Sequence, residues 1–335
     1  MLYPNISIII PCLNEEKFIS TCLDSVIEND YDHEKMEIII IDGLSKDRTR
    51  KIILDYQKNY SFITILDNPK KITPAALNIG IKNSSYDYII RLDAHSKYPK
   101  DYFMLCIEYL LNTNADNVGG VVDHIPFNES IISKCLALSL SSVFGVGNSK
   151  FRIGINKEFE YVETVPFGAF KKKIFKKIGF FDEELPRNED IDINRRIIKA
   201  GGKILLVSKI KLFYLCNDIF TMLKKIFENG FLVTEPLRIG KFPFSIRYLI
   251  PLLFIIGLIG TIILSIFDTR FLILLLFILI AYGSLNIYYT IKIFNSEKIM
   301  KILIILPFVF FLIHLSHGFG ALWGLTKSFG SIFKK

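Results

Sequence analysis

Tyr88-Ile89-Ile90-Arg91-Leu92-Asp93-Ala94-His95 is an apolar run that ends in a carboxylate and an imidazole two residues apart. It reads as a buried strand delivering its last residues to the edge of a sheet. Asp and His in that place offer oxygen and nitrogen donors to a divalent cation. An ordinary turn with both side chains in solvent accounts for the same letters. The surrounding sequence decides the architecture. Apolar runs at residues 6–10, 37–41, 62–66 and 118–122 alternate with amphipathic segments at 15–27, 47–56, 75–81 and 102–111. That β-α-β-α order predicts an α/β domain, a parallel sheet with helices on both faces. Ligands of such a sheet sit beyond the carboxyl ends of its strands. There this chain carries Asn14-Glu15, Asp42, Asp67-Asn68 and Asp93-Ala94-His95. No G-x-G-x-x-G follows the first strand and no G-x-x-x-x-G-K-[ST] occurs, which argues against a dinucleotide fingerprint or a P-loop.

The 335 residues suffice for roughly two domains. Hydrophobic residues make up 51% of the chain, and the excess gathers in apolar stretches near 248–267, 271–291 and 302–325. Each approaches the ~20 residues that cross a bilayer as a helix. The expected division is a domain over 1–240, its part from about 211 to 240 juxtamembrane, and a membrane domain over 241–335 with three spans. Of the formal net charge of +8, +7 lies from Lys241 onward, where nine Lys and Arg face two Asp and Glu. The basicity therefore points to anionic lipid headgroups, not to nucleic acid. Arg238, Lys241 and Arg247 before the first span, and Lys292, Lys298 and Lys301 before the third, place the large domain in the cytoplasm. Lys327, Lys334 and Lys335 run against that if the third segment crosses fully. That segment holds Pro307, His314, His317, Gly318, Gly320 and Gly324, so a kink or partial re-entry is an alternative. No secretory leader pattern is visible. Five cysteines without metal-ligand spacing read as reduced thiols.

Ser7-Ile8-Ile9-Ile10-Pro11-Cys12-Leu13-Asn14-Glu15 resembles the opening strand and turn of the family 2 glycosyltransferases, whose fold is GT-A, the Rossmann-like fold of nucleotide-diphospho-sugar transferases. Ile40-Ile41-Asp42-Gly43-Leu44-Ser45-Lys46-Asp47 is similar to that family's second motif, with one Asp before the glycine where two are usual. Pro74-Ala75-Ala76-Leu77-Asn78-Ile79-Gly80 resembles its Asn-x-Gly helix, and Asp93-Ala94-His95 stands where it has a metal-binding Asp-x-Asp. Val165-Pro166-Phe167-Gly168-Ala169, Gly179-Phe180-Phe181-Asp182-Glu183 and Asn188-Glu189-Asp190 follow in the family's order. The resemblance covers about residues 5–210. With three spans behind it, it is closest to the membrane subgroup typified by succinoglycan biosynthesis.

The resemblance implies an inverting transferase. It would move one sugar from a nucleotide-diphosphate donor, UDP-linked in the first instance, to a hydroxyl of a lipid-linked glycan such as a polyprenyl-diphosphate saccharide. Pro11, Asn14, Glu15 and Asp42 would line the base and ribose pocket. Asn14-Glu15 equally suits a helix N-terminus, and Asp42 a plain turn. Asn78 would contact the donor, although a small-residue helix there also serves close packing. Asp93 and His95 would hold Mn2+ or Mg2+ against the diphosphate. Asp190 would be the general base, with Glu189 beside it and Arg195 and Arg196 near the diphosphate. The same cluster reads as a helix start with acidic residues first and basic ones later, stopped by Gly201-Gly202. Arg91 would pair with Asp42, a phosphate or a structural partner. The Gln-x-x-Arg-Trp motif of processive polymerases is absent, and the only Trp is Trp323. Residues 131–146 read as a helix, either on the membrane surface or in the core. His314 and His317 read as packing residues. Two other functions fit the sequence: a polyprenyl-phosphate sugar synthase, and a membrane-anchored module that binds nucleotide sugars without turnover.

Overall fold

The structure, a computed structural model, describes residues 3–185, 188–234 and 246–332. Arg238, Lys241, Lys334, Lys335 and the side chain of Arg247, used above for orientation, lie outside the described residues. The chain divides into two compact units, Met1–Asp123 with Lys150–Leu215, and His124–Ser149 with Cys216–Lys335.

In chain order the helices are α1 (Ile19–Ile27), α2 (Thr49–Asn59), α3 (Thr73–Asn83), α4 (Tyr102–Asn112), α5 (Ile131–Leu140), α6 (Val143–Val146) and α7 (Lys150–Ile153). They continue as α8 (Lys173–Ile178), α9 (Glu189–Lys199), α10 (Ile219–Thr234), α11 (Ile250–Phe267), α12 (Phe271–Glu297) and α13 (Ile302–Ile332). Four strands open the sheet: β1 (Ile6–Cys12), β2 (Met36–Asp42), β3 (Ile63–Asp67) and β4 (Tyr88–Arg91), parallel in the order β3-β2-β1-β4. β5 (Ser96–Lys97), β6 (Asn117–Ile125), β7 (Phe159–Tyr161), β8 (Ala169–Lys171) and β9 (Ile204–Leu215) extend it as β4-β8-β6-β9-β5, with β7 on β9.

The sheet is mixed, not wholly parallel as the alternation suggested. β8 runs antiparallel to both β4 and β6. It is three residues long and arrives from a loop, so no crossover helix announces it. β6 consequently keeps the direction of the first four strands with one reversed strand between.

The isoleucine-rich strands are buried on both faces, and side-chain alternation sorts them into two cores. Ile6, Ile8, Ile10, Ile38, Ile40, Ile90 and Leu92 pack with residues of α1 and α4. Ile9, Ile39, Ile41 and Ile89 pack on the other face with residues of α3, α8 and α9. Gly80 of α3 lies so close to that face that a Cβ would stand 2.5 Å from Ile9 Cγ2, so the Asn-x-Gly glycine serves close packing.

The second unit contains the three helices long and apolar enough to cross a membrane: Ile250–Phe267, Phe271–Glu297 and Ile302–Lys327. α10 lies along α13 backbone to backbone. A Cβ on Gly230 would meet the His317 carbonyl at 2.1 Å, and one on Gly320 the Phe227 carbonyl at 2.0 Å. Small residues permit this approach, and Ser316 Oγ and Thr234 Oγ1 add hydrogen bonds to Leu223 O and Ala321 O at 2.6 and 2.9 Å. Residues 131–146 form α5 and α6, interrupted at Ser141-Ser142. Phe144 of α6 inserts among Tyr282, Tyr289, Phe310 and His314. Both His314 nitrogens are engaged, by Phe144 O at 2.8 Å and Tyr282 Oη at 3.0 Å, the packing role expected of it.

Candidate active site

Three polar groups stand at the carboxyl ends of the parallel strands of the first unit. The outermost joins the loops after β1 and β2. Asn14 adopts positive φ (56°), a conformation Asn tolerates better than most residues. Its Oδ1 accepts from Lys46 N at 2.9 Å, and its own N–H donates to Ser45 Oγ at 2.9 Å. Glu15 N donates to Thr49 Oγ1 at 2.6 Å. Asn14 is therefore no helix cap: α1 begins only at Ile19, because residues 13–16 are spent stitching one loop to the other. Asp42 is fully buried. Ser45 Oγ and N donate to its Oδ1 at 2.6 and 3.1 Å, and Arg50 Nη1 donates to its Oδ2 at 3.0 Å. Arg50 Nη1 also reaches Asp67 Oδ1 at 2.6 Å, so one guanidinium links the ends of β2 and β3. Pro11 sits in β1 opposite Ile41, next to this group.

The second group is the end of β4. His95 Nδ1 lies 3.2 Å from Glu15 Oε1 and 3.4 Å from Asp93 Oδ1. Phe18 stacks on the imidazole at 4.8 Å and Tyr214 at 6.0 Å. Burial pushes the Asp93 carboxyl up. The His95 side chain and the His95 N–H at 2.8 Å outweigh it and hold the group below the usual carboxylate range. Among the described residues no three or more His, Cys, Asp or Glu side chains gather as a closed metal cage. This strand end offers the carboxylate oxygens of Asp93 and Glu15 and an imidazole nitrogen of His95, joined to one another at 3.2 and 3.4 Å.

The third group links β4 to α9. Arg91 Nη2 donates to Glu189 Oε1 at 2.7 Å, and Nη1 donates to Asp190 Oδ1. Side-chain alternation explains the choice: Arg91 shares the parity of Ile89 and faces the core that contains α9, whereas Asp42 shares the parity of Ile38 and Ile40 on the opposite face. An Arg91–Asp42 pair is thereby excluded. Burial raises the Asp190 carboxyl above its ordinary value, Arg91 opposes the rise and Glu189 adds to it. Burial disfavours the Arg91 cation, but Asp190 and Glu189 more than compensate, so it stays charged. The Phe167 backbone also hydrogen-bonds Asp190, and the Phe167 ring lies 5.5 Å from the Arg91 guanidinium.

α9 ends as its glycines foretell. Gly201 has φ of 81°, its N–H donates to Ile198 O at 2.9 Å, and Gly202 N donates to Ile197 O at 2.9 Å, a Schellman motif. Arg196 is held by Asp192 Oδ2 at 2.6 Å and by Ile178 O at 2.9 Å, one turn or more from the acid pair; Arg195 is exposed. Asn78 Nδ2 donates to Phe181 O and Glu183 Oε1 at 2.9 and 2.8 Å, and its Oδ1 accepts from Phe181 N at 2.9 Å. Its amide thus ties α3 to the 179–183 loop. The site residues the sequence reading missed are Ser45, Arg50, Phe18 and Tyr214. Ser45 lies inside the quoted second motif and Arg50 just beyond it, so both were legible as polar neighbours of Asp42; Tyr214 lies too far along the chain for any local signal.

The family model described as glycosyl transferase family 2 matches residues 7–179. Over 338 residues the chain is 31% identical to a Methanococcus voltae protein, dolichyl N-acetyl-alpha-D-glucosaminyl phosphate 3-beta-D-2,3-diacetamido-2,3-dideoxy-beta-D-glucuronosyltransferase, covering 98% of this chain and 99% of that one. It is 33% identical over 209 residues to the succinoglycan biosynthesis protein ExoA of Rhizobium meliloti (strain 1021), covering 62% of each. Among solved structures, the mannosyltransferase PcManGT from Pyrobaculum calidifontis, in complex with GDP-Man and Mn2+, superposes with a TM-score of 0.60 at 14% identity, covering 96% of this chain and 88% of that chain. That is a likeness of fold.

Proposed function

The chain belongs to glycosyl transferase family 2 and is a glycosyltransferase, and we propose that it transfers one sugar, with inversion, to a lipid-linked glycan at the cytoplasmic face of a membrane. The donor is a nucleoside-diphosphate sugar, a UDP-sugar first among them. The acceptor is the hydroxyl of a saccharide carried on an isoprenoid phosphate or diphosphate. The observation that carries the reading is Arg91. It joins the Glu189-Asp190 pair to the strand that ends in Asp93-Ala94-His95, which ties the proposed base to the strand that carries the proposed cation ligands.

In the proposed reaction Asp190 accepts the proton of the acceptor hydroxyl as that oxygen bonds to the anomeric carbon. The bond from that carbon to the diphosphate breaks on the opposite side, and its electron pair leaves with the nucleotide. Asp93 and His95, with Glu15 alongside, would hold a divalent cation, Mn2+ or Mg2+, which would supply charge neutralisation for the departing diphosphate. Asn14, Glu15 and Asp42 with its partner Arg50 border the place for the nucleotide. Asn78 supports the site through the 179–183 loop. The relative from M. voltae, whose name specifies a dolichyl-linked acceptor, and the three long apolar helices support a lipid-borne acceptor.

The test is the full chain in nanodiscs, assayed against labelled UDP- and GDP-sugars with isoprenoid-linked acceptors, with and without EDTA. Turnover with one donor, lost in EDTA, is expected. Asp190→Asn should lower transfer to a hydroxyl about 10²–10⁴-fold with donor binding retained. Near-normal hydroxyl transfer by this variant would remove Asp190 from the base role. Transfer to polyprenyl phosphate alone would favour the synthase reading.

A further inference from the structure

Two buried asparagines anchor the helix that carries Asp190, and the chemistry above uses neither. Asn117 opens β6 and Asn194 lies one turn beyond Asp190 on α9; their exposures are 0% and 1%. Asn117 Nδ2 donates to Asn194 Oδ1 at 2.7 Å. Asn194 Nδ2 donates in turn to Thr164 Oγ1 at 2.9 Å and to Val165 O at 3.1 Å. Among the described residues Asn117 Oδ1 has no hydrogen-bond partner, and it presses on Gly168, where a Cβ would stand 2.3 Å away. A buried polar pair with an orphaned acceptor is a poor choice for stability alone, since apolar side chains of similar shape fill such a space at no loss.

Its consequence is geometric. The pair fastens the 164–168 segment to α9, and that segment is unusual. Phe167 and Gly168 both have positive φ, 61° and 72°, an arrangement a bulky residue such as Phe adopts only under surrounding constraint. From it the Phe167 backbone reaches Asp190 and Gly168 O accepts from Arg91 N at 3.0 Å. Both groups that hold Asp190 therefore hang on one constrained turn, and the amide pair sets the register of that turn against the helix.

We propose that Asn117 and Asn194 are positioning residues for sugar transfer, fixing the 164–168 turn on α9 so that the Phe167 backbone and Arg91 hold the Asp190 carboxylate in one place beside the acceptor hydroxyl. The inference rests on Asp190 being the base.

The experiment compares Asn117→Leu, Asn194→Leu and the double variant in the full chain, reading thermal stability, kcat, donor KM and the pH profile of kcat. Each single variant strands one amide and should unfold at lower temperature. The double removes both amides and should regain part of the loss, Thr164 Oγ1 and Val165 O still lacking the Asn194 donor. A positioning role predicts that the restabilised double variant keeps a kcat roughly 10²-fold low, the cost of about 1 Å of misplacement, with donor KM within about twofold and the acid limb of its pH profile displaced. Recovery of kcat together with stability would make the pair purely structural and overturn the proposal. Thr164→Val, nearly isosteric and half-buried, loosens the same contact without threatening the fold. It should lower kcat about 2–10-fold at constant KM; no change there would also count against the proposal. Asp190→Asn in the same assay separates the two readings. If it keeps transfer, the base assignment fails. If it loses transfer while the asparagine variants do not, only the positioning role fails.

Discussion

Replacing Arg91 with Met removes a cation that pairs with both members of the buried acid pair while leaving a side chain of similar length. Arg91 is 5% exposed and donates to Glu189 at 2.7 Å and to Asp190. The variant leaves two adjacent carboxylates in a site where their side chains keep only 11% and 21% of their surface. Removing one partner of a buried ion pair costs about 3–5 kcal/mol. In a unit of this size each kcal/mol is worth about 2–4 °C, so the first unit should melt roughly 6–20 °C lower at neutral pH.

The pH dependence separates this cause from a simple packing defect. Arg91 opposes the rise that burial and Glu189 impose on Asp190, so without it the folded-state carboxyl climbs further above its unfolded value. A group raised on folding gives stability that is complete below its unfolded value and is lost as pH climbs through the folded one. The deficit of Arg91→Met against the unaltered chain should therefore narrow as pH falls from about 8 to about 5. Activity should move the other way. A charge-assisted hydrogen bond is worth about 1.5–3 kcal/mol, and at 1.36 kcal/mol per pH unit its loss lifts the acid limb of kcat by about one to two units. Tryptophan-independent melting (a thiol-reactive dye on the buried cysteines) and a kcat profile measure both. A stability deficit that is the same at every pH, with an unmoved acid limb, would refute the role of Arg91 as the counter-charge of Asp190.

His95→Ala deletes the imidazole between Phe18 and Tyr214 and should weaken UDP binding in Mn2+ about tenfold or more, leaving metal-free binding unchanged; calorimetry with and without Mn2+ reads the difference, and equal loss in both would reassign His95 to packing. Gly320→Val brings a Cβ to 2.0 Å from the Phe227 carbonyl. Neither backbone can yield without parting α10 from α13, so the detergent-solubilised chain should lose at least about 1–3 kcal/mol, and hydrogen exchange across residues 219–234 should rise; unchanged exchange would contradict the packing.

The strand and helix alternation was legible because burial on two faces leaves period-two and period-3.6 signatures in the residues themselves. The same parity sufficed to separate Arg91 from Asp42, since residues 38, 40 and 42 share one face of β2 while 89 and 91 share the other face of β4. β8 was illegible because three residues carry no period, and the sheet was therefore expected to be wholly parallel. Asn14 is a more instructive case. Its side chain suits a helix cap and a left-handed turn equally, and the choice was made by Ser45 and Lys46 in another loop.

Partners of this kind are what local sequence does not encode. Arg91 meets Glu189 98 residues away, and Asn117 meets Asn194 77 residues away, with no spacing rule connecting either pair. Yet these contacts hold the residues to which the proposed chemistry is assigned. Asp93 acts electrostatically on Arg91, which in turn faces Asp190, so the end of β4 and the start of α9 share one buried cation. A change of charge at Asp93 should therefore be felt at Asp190 through Arg91, because Arg91 is buried and screening of its interactions is reduced. Substitutions at the two ends should consequently be non-additive, and the proposed donor side and acceptor side behave as one electrostatic unit.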